Sequence, residues 1–245
     1  MPKHRVLMTL LLFVFSTFAH SADPLFTATF SGKHSGFKVV TKRTLSAEGD
    51  NIYSLHSQAK SRFATIEETS RFTLSDDRLV PLYYDYRRKV FGIKKDREIS
   101  FDWKNNRATF REGKDSKTVK NLDQYRELLD PSLYQLAIQR DIFLGKQQLS
   151  YDFVRDHRIK TYQFARAGEE TLELDGKNLQ TVKIERNEDN GPKKTTIWLI
   201  PELTFQIGKI EHTDEDGESY GMQLVDYQCD FNRLTALFNR HKQSE

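Results

Sequence analysis

The sequence predicts an all-β protein: a long antiparallel meander forming a curved sheet or barrel, with one mid-chain helix packed on it and a second helix allowed at the C-terminus. Three observations predict it. Apolar and polar residues alternate in one short segment after another, pairs of turn-forming residues stand between the segments, and a sustained helical period occurs only in mid-chain.

The first element is not part of the fold. Lys3 and Arg5 precede an apolar run, Val6 to Phe15, broken only by Thr9, and the run exits through Ser16, Thr17, Ala19 and Ser21. A positive start, a short apolar core and small residues at the exit make a secretory signal peptide, too short for the ~20 apolar residues of a membrane span. Residues 1–21 are expected to be removed by cleavage between Ser21 and Ala22, and Ala22 stands where lipidation would need cysteine. The expected location is the periplasm, as a soluble, unlipidated protein. Lys3 and Arg5 are two of 38 basic residues set against 35 acidic ones, so the mature chain is nearly neutral, about +1, and its global charge selects no partner. Cys229 is the only cysteine, so no internal disulfide closes and the core must hold the fold.

The strands follow in order. Phe26, Ala28 and Phe30 alternate with Thr27 and Thr29, and similar alternation recurs around Tyr53, Phe72, Tyr84, Ala108, Tyr151, Tyr162, Val182 and Tyr220. Ile99, Phe101 and Trp103 alternate with Ser100 and Asp102, which predicts Phe101 and Trp103 facing the core and Asp102 facing solvent. Asn105-Asn106, Asp175-Gly176, Asn190-Gly191 and Asp216-Gly217 accept the positive φ of tight hairpins. Such close spacing leaves no room for crossover helices, so neighbouring strands should pair antiparallel. At Gly208 the apolar parity of Phe205 and Ile207 slips to Ile210, which predicts a bulge.

The mid-chain exception begins at Asp130-Pro131, a capping residue followed by a first-turn proline, and Leu133, Leu136, Ala137, Arg140 and Leu144 keep helical spacing up to Gly145. That is roughly four turns, with an apolar stripe to lay on the sheet. A shorter helical turn before it would point Leu122, Tyr125 and Leu129 inward, and Phe231, Leu234 and Leu237-Phe238 suggest the C-terminal helix. The organisation expected is a signal peptide (1–21), a single β-rich domain (22–228) and a C-terminal tail (229–245).

Several ordered motifs resemble a known family. Leu79-Val80-Pro81-Leu82-Tyr83-Tyr84-Asp85-Tyr86-Arg87-Arg88, Phe101-Asp102-Trp103, Asp130-Pro131-Ser132-Leu133-Tyr134-Gln135-Leu136 and Thr195-Thr196-Ile197-Trp198-Leu199-Ile200-Pro201-Glu202-Leu203 look like successive parts of the domain of unknown function 3108 family, over roughly residues 25 to 228. The resemblance implies an exported, mostly β bacterial protein and brings no catalytic residue with it.

Candidate chemistry is sparse. His34, His56, His157, His212 and His241 are scattered singly, with no metal-ligand spacing and no nucleophile motif, so no enzyme, cofactor or metal is expected. His212 to Glu218 could be read as an acidic cation loop, but it reads better as a solvated hairpin turn, as does Glu169-Glu170. The most suggestive segment places Tyr84 and Tyr86 beside Arg87, Arg88, Lys94 and Lys95, which reads either as an amphipathic hairpin whose charges solubilise its outer face or as a candidate anion-binding face. Export argues against nucleic acid, leaving a lipid or another anionic envelope component as the partner, with no membrane-spanning segment in the mature chain. Two functions stay open: a binding or carrier protein for an apolar or amphiphilic envelope ligand, and a non-catalytic interaction or assembly factor. A roomy apolar interior separates the first from the second.

Overall fold

The structure, a computed structural model, describes residues 23–75, 78–174, 176–187 and 193–239. The signal peptide with its Ser21/Ala22 cleavage point, the Asn190-Gly191 turn and the last residues of the tail lie outside the described residues.

Eight strands come first: β1 (Asp23–His34), β2 (Phe37–Gly49), β3 (Ile52–Lys60), β4 (Ala64–Ser75), β5 (Arg78–Val90), β6 (Ile93–Asp102), β7 (Arg107–Glu112) and β8 (Asp115–Lys120). A crossing segment follows, with a short strand β9 (Leu128–Leu129) and the helix α1 (Leu133–Phe143). The chain returns through β10 (Leu149–Arg155), β11 (Arg158–Leu174), β12 (Lys177–Asn187), β13 (Lys194–Ile200), β14 (Gln206–Thr213) and β15 (Ser219–Cys229), and ends in α2 (Phe231–Phe238).

All fifteen strands form one sheet in the order β8-β7-β6-β5-β4-β3-β2-β1-β15-β14-β13-β12-β11-β10-β9. The meander therefore starts at the centre, walks out to one edge, jumps to the other and walks back until β15 pairs antiparallel with β1. Every pairing is antiparallel except β9 with β10, which the jump makes parallel. A short segment can join the two edges only if they stand close, so the sheet is strongly curled. Leu128 and Val154, from the β9–β10 side, pack in one cluster with Tyr84, Ile99 and Phe110 from β5 to β7. The result is a large open curved sheet rather than a closed barrel.

Alternation sets what faces inward. Phe26, Ala28 and Phe30 are buried as expected, and the bulge falls at Gly208, the residue skipped where Trp198 pairs with Lys209 and Leu199 with Ile207. A side chain at Gly208 would meet Ile200 at 2.7 Å, which is why glycine occupies it. Phe101 and Trp103 stack on each other at 5.8 Å against the second cluster, but both are only half-buried. Asp102 points away, and its carboxylate takes the Asn105 N–H at 3.1 Å to cap the following turn.

The mid-chain helix differs from expectation in length and in burial. It spans 11 residues, about three turns, because Pro131 and Ser132 form a preceding turn whose N–H groups are organised by Asp130. The Asp130 carboxylate accepts Ser132 N–H at 2.8 Å and Leu133 N–H at 3.0 Å and takes the Ser70 hydroxyl from β4. Instead of one apolar stripe on a sheet, residues 136 to 142 are buried on all sides, Gln139, Arg140 and Asp141 included, because the sheet wraps around the helix. Arg140 is tied to Glu127 at 3.0 Å and to Asp141 at 3.1 Å, and Glu127 also accepts Leu79 N–H at 2.7 Å, so this network fastens α1 to β5. The helical turn before it is a 3-10 turn, Leu122–Gln124, with Leu122 and Leu129 buried. The C-terminal helix α2 buries Leu234, Leu237 and Phe238 in the main core, capped by Asp130's counterpart Asp230 on Arg233 N–H at 3.1 Å.

Candidate functional site

The hairpins β1–β2, β3–β4 and β5–β6 and the β14–β15 turn reach the same end of the curled sheet, because each strand of an antiparallel meander reverses the one before it. Between their tips opens a cleft of about 570 Å³. Phe37, Val39, Ala59, Ile66, Val90 and Met222 furnish its apolar wall, and Phe63 and Phe91 stand at its rim. Phe63 is the centre of an aromatic ladder, edge-on to Phe37 at 5.4 Å and stacked on Phe91 at 5.1 Å.

The cleft continues inward. Thr41, Ala59, Ile66, Ile210 and Met222 also line a second space of about 210 Å³, which reaches Arg43, Glu68 and the start of α1 at Pro131, Ser132 and Gln135. Glu68 and Pro131 in turn border a third space of about 250 Å³ lined by Tyr84, Tyr86, Arg97, Tyr134, Phe153 and Tyr162. The three adjoin through shared lining residues as a trough, apolar at the mouth and polar at the base.

Arg43 dominates the middle. It is buried, 7% exposed, yet its hydrogen bonds go to neutral acceptors: the Gln135 side-chain carbonyl and the Ser132 backbone carbonyl at 3.1 Å. Its Nε has no hydrogen-bond partner among the described residues. Burial lowers its pKa to about 10, so it keeps its charge at neutral pH. A buried guanidinium with an unused N–H is a ready donor to an anion or a carbonyl. Glu68 lies in the same space and takes the Tyr84 hydroxyl; burial pushes its pKa up, with Tyr84 and Arg43 pulling the other way. Burial also pushes the Tyr84 phenol up, the Glu68 carboxylate adding to it, so that phenol stays protonated and serves as a donor.

The candidate anion-binding face divides in two. On β5 and β6 the pairs Tyr84↔Ile99, Tyr86↔Arg97 and Arg88↔Lys95 share the inner face, so Arg87 and Lys94, one residue out of phase, fall on the outer face. Arg87 is held by Asp85 at 3.0 Å, Lys95 by Glu112 at 2.8 Å, and Arg97 by Glu112 and Asp156, each at 2.9 Å. Arg97 also lies over the Tyr86 ring at 5.8 Å. Tyr84 and Tyr86 thus border the inner trough, while Arg88, Lys89 and Lys94 are exposed near the hairpin tip. The acidic turn at Asp214 folds on itself, Asp214 accepting the N–H groups of Asp216 and Glu218 at 3.0 and 3.1 Å. Glu169 and Glu170 are not the expected turn but lie within β11, paired with Val182 and Thr181, so they point to opposite faces, and Glu170 accepts Trp198 Nε1–H at 3.0 Å.

Sequence reasoning missed Arg43, Glu68 and the aromatic rim. Arg43 sits in phase with Leu45 on β2, a charged residue at an inward position, and that parity was its one available signal.

Among the described residues no helix is long and apolar enough to cross a membrane. The family model described as protein of unknown function (DUF3108) matches residues 25–224. No curated protein matches the chain. Among solved structures, a beta-barrel-like protein of domain of unknown function DUF1849 from Brucella abortus is similar over 84% of this chain and 98% of that one, with a TM-score of 0.52 at 8% identity. A DUF1329 family protein from Desulfovibrio piger ATCC 29098 aligns over 89% of this chain and 90% of that one, with a TM-score of 0.28 at 10% identity. The first of these likenesses supports the curled sheet and carries nothing about function.

Proposed function

The chain belongs to the DUF3108 family of proteins of unknown function, and we propose that it is a non-catalytic periplasmic binding or carrier protein for an amphiphilic ligand of the cell envelope. The observation that carries this reading is the trough itself, an apolar cleft of about 570 Å³ adjoining a smaller space lined by a buried, incompletely bonded arginine. That volume lies in the range of small-molecule sites, which pair apolar walls with a few convergent polar groups. From Phe37 at the rim to Arg43 is six residues of one strand, about 20 Å at ~3.3 Å per residue. One leaflet of a bilayer, half of the ~30 Å hydrocarbon core, is ~15 Å deep. An acyl tail of membrane length therefore fits between the rim and Arg43, with its polar head at the base.

The other reading, an assembly factor gripping a partner by a sheet edge, has the exposed edge strand β8 in its favour. Displacement of a fluorescent fatty-acid probe from the purified chain separates the two. Saturable binding, competed by palmitate about tenfold better than by hexadecanol, is expected if Arg43 meets the head. Ala59→Phe, which fills the junction between mouth and base, should abolish it. Absence of saturable binding, or binding indifferent to Ala59→Phe, would remove the carrier reading and leave the edge.

A further inference from the structure

We infer that the tips of the β1–β2, β3–β4 and β5–β6 hairpins are a docking surface for an anionic lipid bilayer, presenting the mouth of the trough to the membrane. The segments at these tips, residues 33–38, 60–63 and 88–95, hold eight cations (Lys33, Lys38, Lys60, Arg62, Arg88, Lys89, Lys94 and Lys95) and not one carboxylate. They come from three separate stretches of chain and meet because the meander returns each hairpin to the same end.

Their arrangement works against the isolated fold. Lys33 pairs with Lys38, Arg88 with Lys95 and Lys89 with Lys94, each directly across an antiparallel ladder. Like charges in that position repel; Glu112 offsets Lys95, whereas the Lys33–Lys38 and Lys89–Lys94 pairs cost stability unless an external anion offsets them. Apolar groups stand out beyond these charges. Phe91 is 72% exposed and Ile93 is 76% exposed, and Phe37 and Phe63 are exposed beside them. Phe91 moreover occupies the first position of a two-residue turn with φ of 47°, where asparagine or glycine would sit without strain. An exposed aromatic held in an unfavourable backbone conformation at a hairpin tip, ringed by cations, combines the two elements of interfacial binding: apolar groups that enter the headgroup region and positive charge that meets acidic lipid.

The charge is also one-sided. Beyond the β1–β2 tip, next along the sheet, the β14–β15 turn carries Asp214, Glu215, Asp216 and Glu218, which an anionic surface repels. The docked protein would lean on its β1–β6 side with the aromatic ladder inserted. This surface is defined independently of what fills the trough.

Co-sedimentation with vesicles tests it, using phosphatidylcholine alone and phosphatidylcholine carrying phosphatidylglycerol. The unmodified chain should bind the phosphatidylglycerol vesicles and release them as salt rises, since exposed charge is screened over about 8 Å at physiological ionic strength. A cation near such a surface is worth about fivefold in binding, so a variant carrying Lys38→Gln, Arg62→Gln, Lys89→Gln and Lys94→Gln should lose about a hundredfold or more. Phe91→Ser with Ile93→Ser should also weaken binding, with the salt dependence retained. All six side chains are exposed, and variants identical elsewhere share whatever the leader contributes. Equal binding to both vesicle types, salt-insensitive binding, or a four-glutamine variant that binds like the parent would each overturn the inference. Probe uptake from solution by the same four-glutamine variant reports separately on the trough, because Lys38, Arg62, Lys89 and Lys94 all lie outside its lining.

Discussion

Asp130 is a carboxylate buried completely at the point where the trough meets α1, and replacing it with asparagine isolates what that burial does to stability. Burial raises its pKa from 3.8 to about 6, against the opposing pull of the Ser70 hydroxyl and the Leu133 and Ser132 N–H groups. A raised carboxyl pKa means that the folded state binds the proton more tightly than the unfolded state does. Its contribution is therefore fully present below pH 3.8 and is lost as pH rises through about 6. At 1.36 kcal/mol per pKa unit, the loss amounts to ~3 kcal/mol. Asparagine keeps an oxygen for the Ser132 and Leu133 N–H groups and does not titrate, so Asp130→Asn lacks this slope. Paired urea melts of parent and variant should show the parent's relative stability falling by ~3 kcal/mol between about pH 4 and pH 7. Taking the difference cancels the surface carboxylates Glu112, Glu170 and Glu185, whose pKa values are lowered by their lysine, arginine and tryptophan partners and which push the opposite way. A flat difference, or one in which the parent gains with rising pH, would refute the account of Asp130 as a desolvated charge.

Arg140→Met strands the partly buried Glu127, leaves the buried Asp141 with Lys146 as its remaining cation, and should cost ~3–5 kcal/mol in a denaturant melt, the cost of breaking a buried pair. Phe72→Ala, at a fully buried position on β4, should cost ~3–5 kcal/mol, and Phe101→Ala clearly less, because Phe101 is half-buried; a reversed order in the same melts would contradict the assigned faces. Gly32→Ala places a methyl 2.0 Å from the Gly221 backbone oxygen, so β1 and β15 must separate where the two halves of the sheet join at its centre. A loss of at least ~1–3 kcal/mol is expected, and a neutral variant would mean that the two strands are not in this close approach. Sequencing of the protein released by osmotic shock should begin at Ala22; an intact Met1 would dismiss the signal peptide.

Local patterns in the sequence carried the strands, the helix and the bulge at Gly208, because an alternation of two and a period of 3.6 are properties of neighbouring residues. Membership of the family was legible for a similar reason: its motifs are contiguous. The split of the cations between Arg88 and Lys95 on the inner face and Arg87 and Lys94 on the outer also follows from alternation, once the register Arg88↔Lys95 is known. What no local pattern contains is which distant segments meet. That β15 closes against β1, that the sheet wraps α1 on all sides and so buries Arg140, and that Arg43 on β2 faces Gln135 on the helix are decided by the jump from one sheet edge to the other. The same holds for the mouth. Phe37, Phe63 and Phe91 stand 26 and 28 residues apart in the sequence, and they become one aromatic ladder only because antiparallel pairing turns every second connection toward the same end.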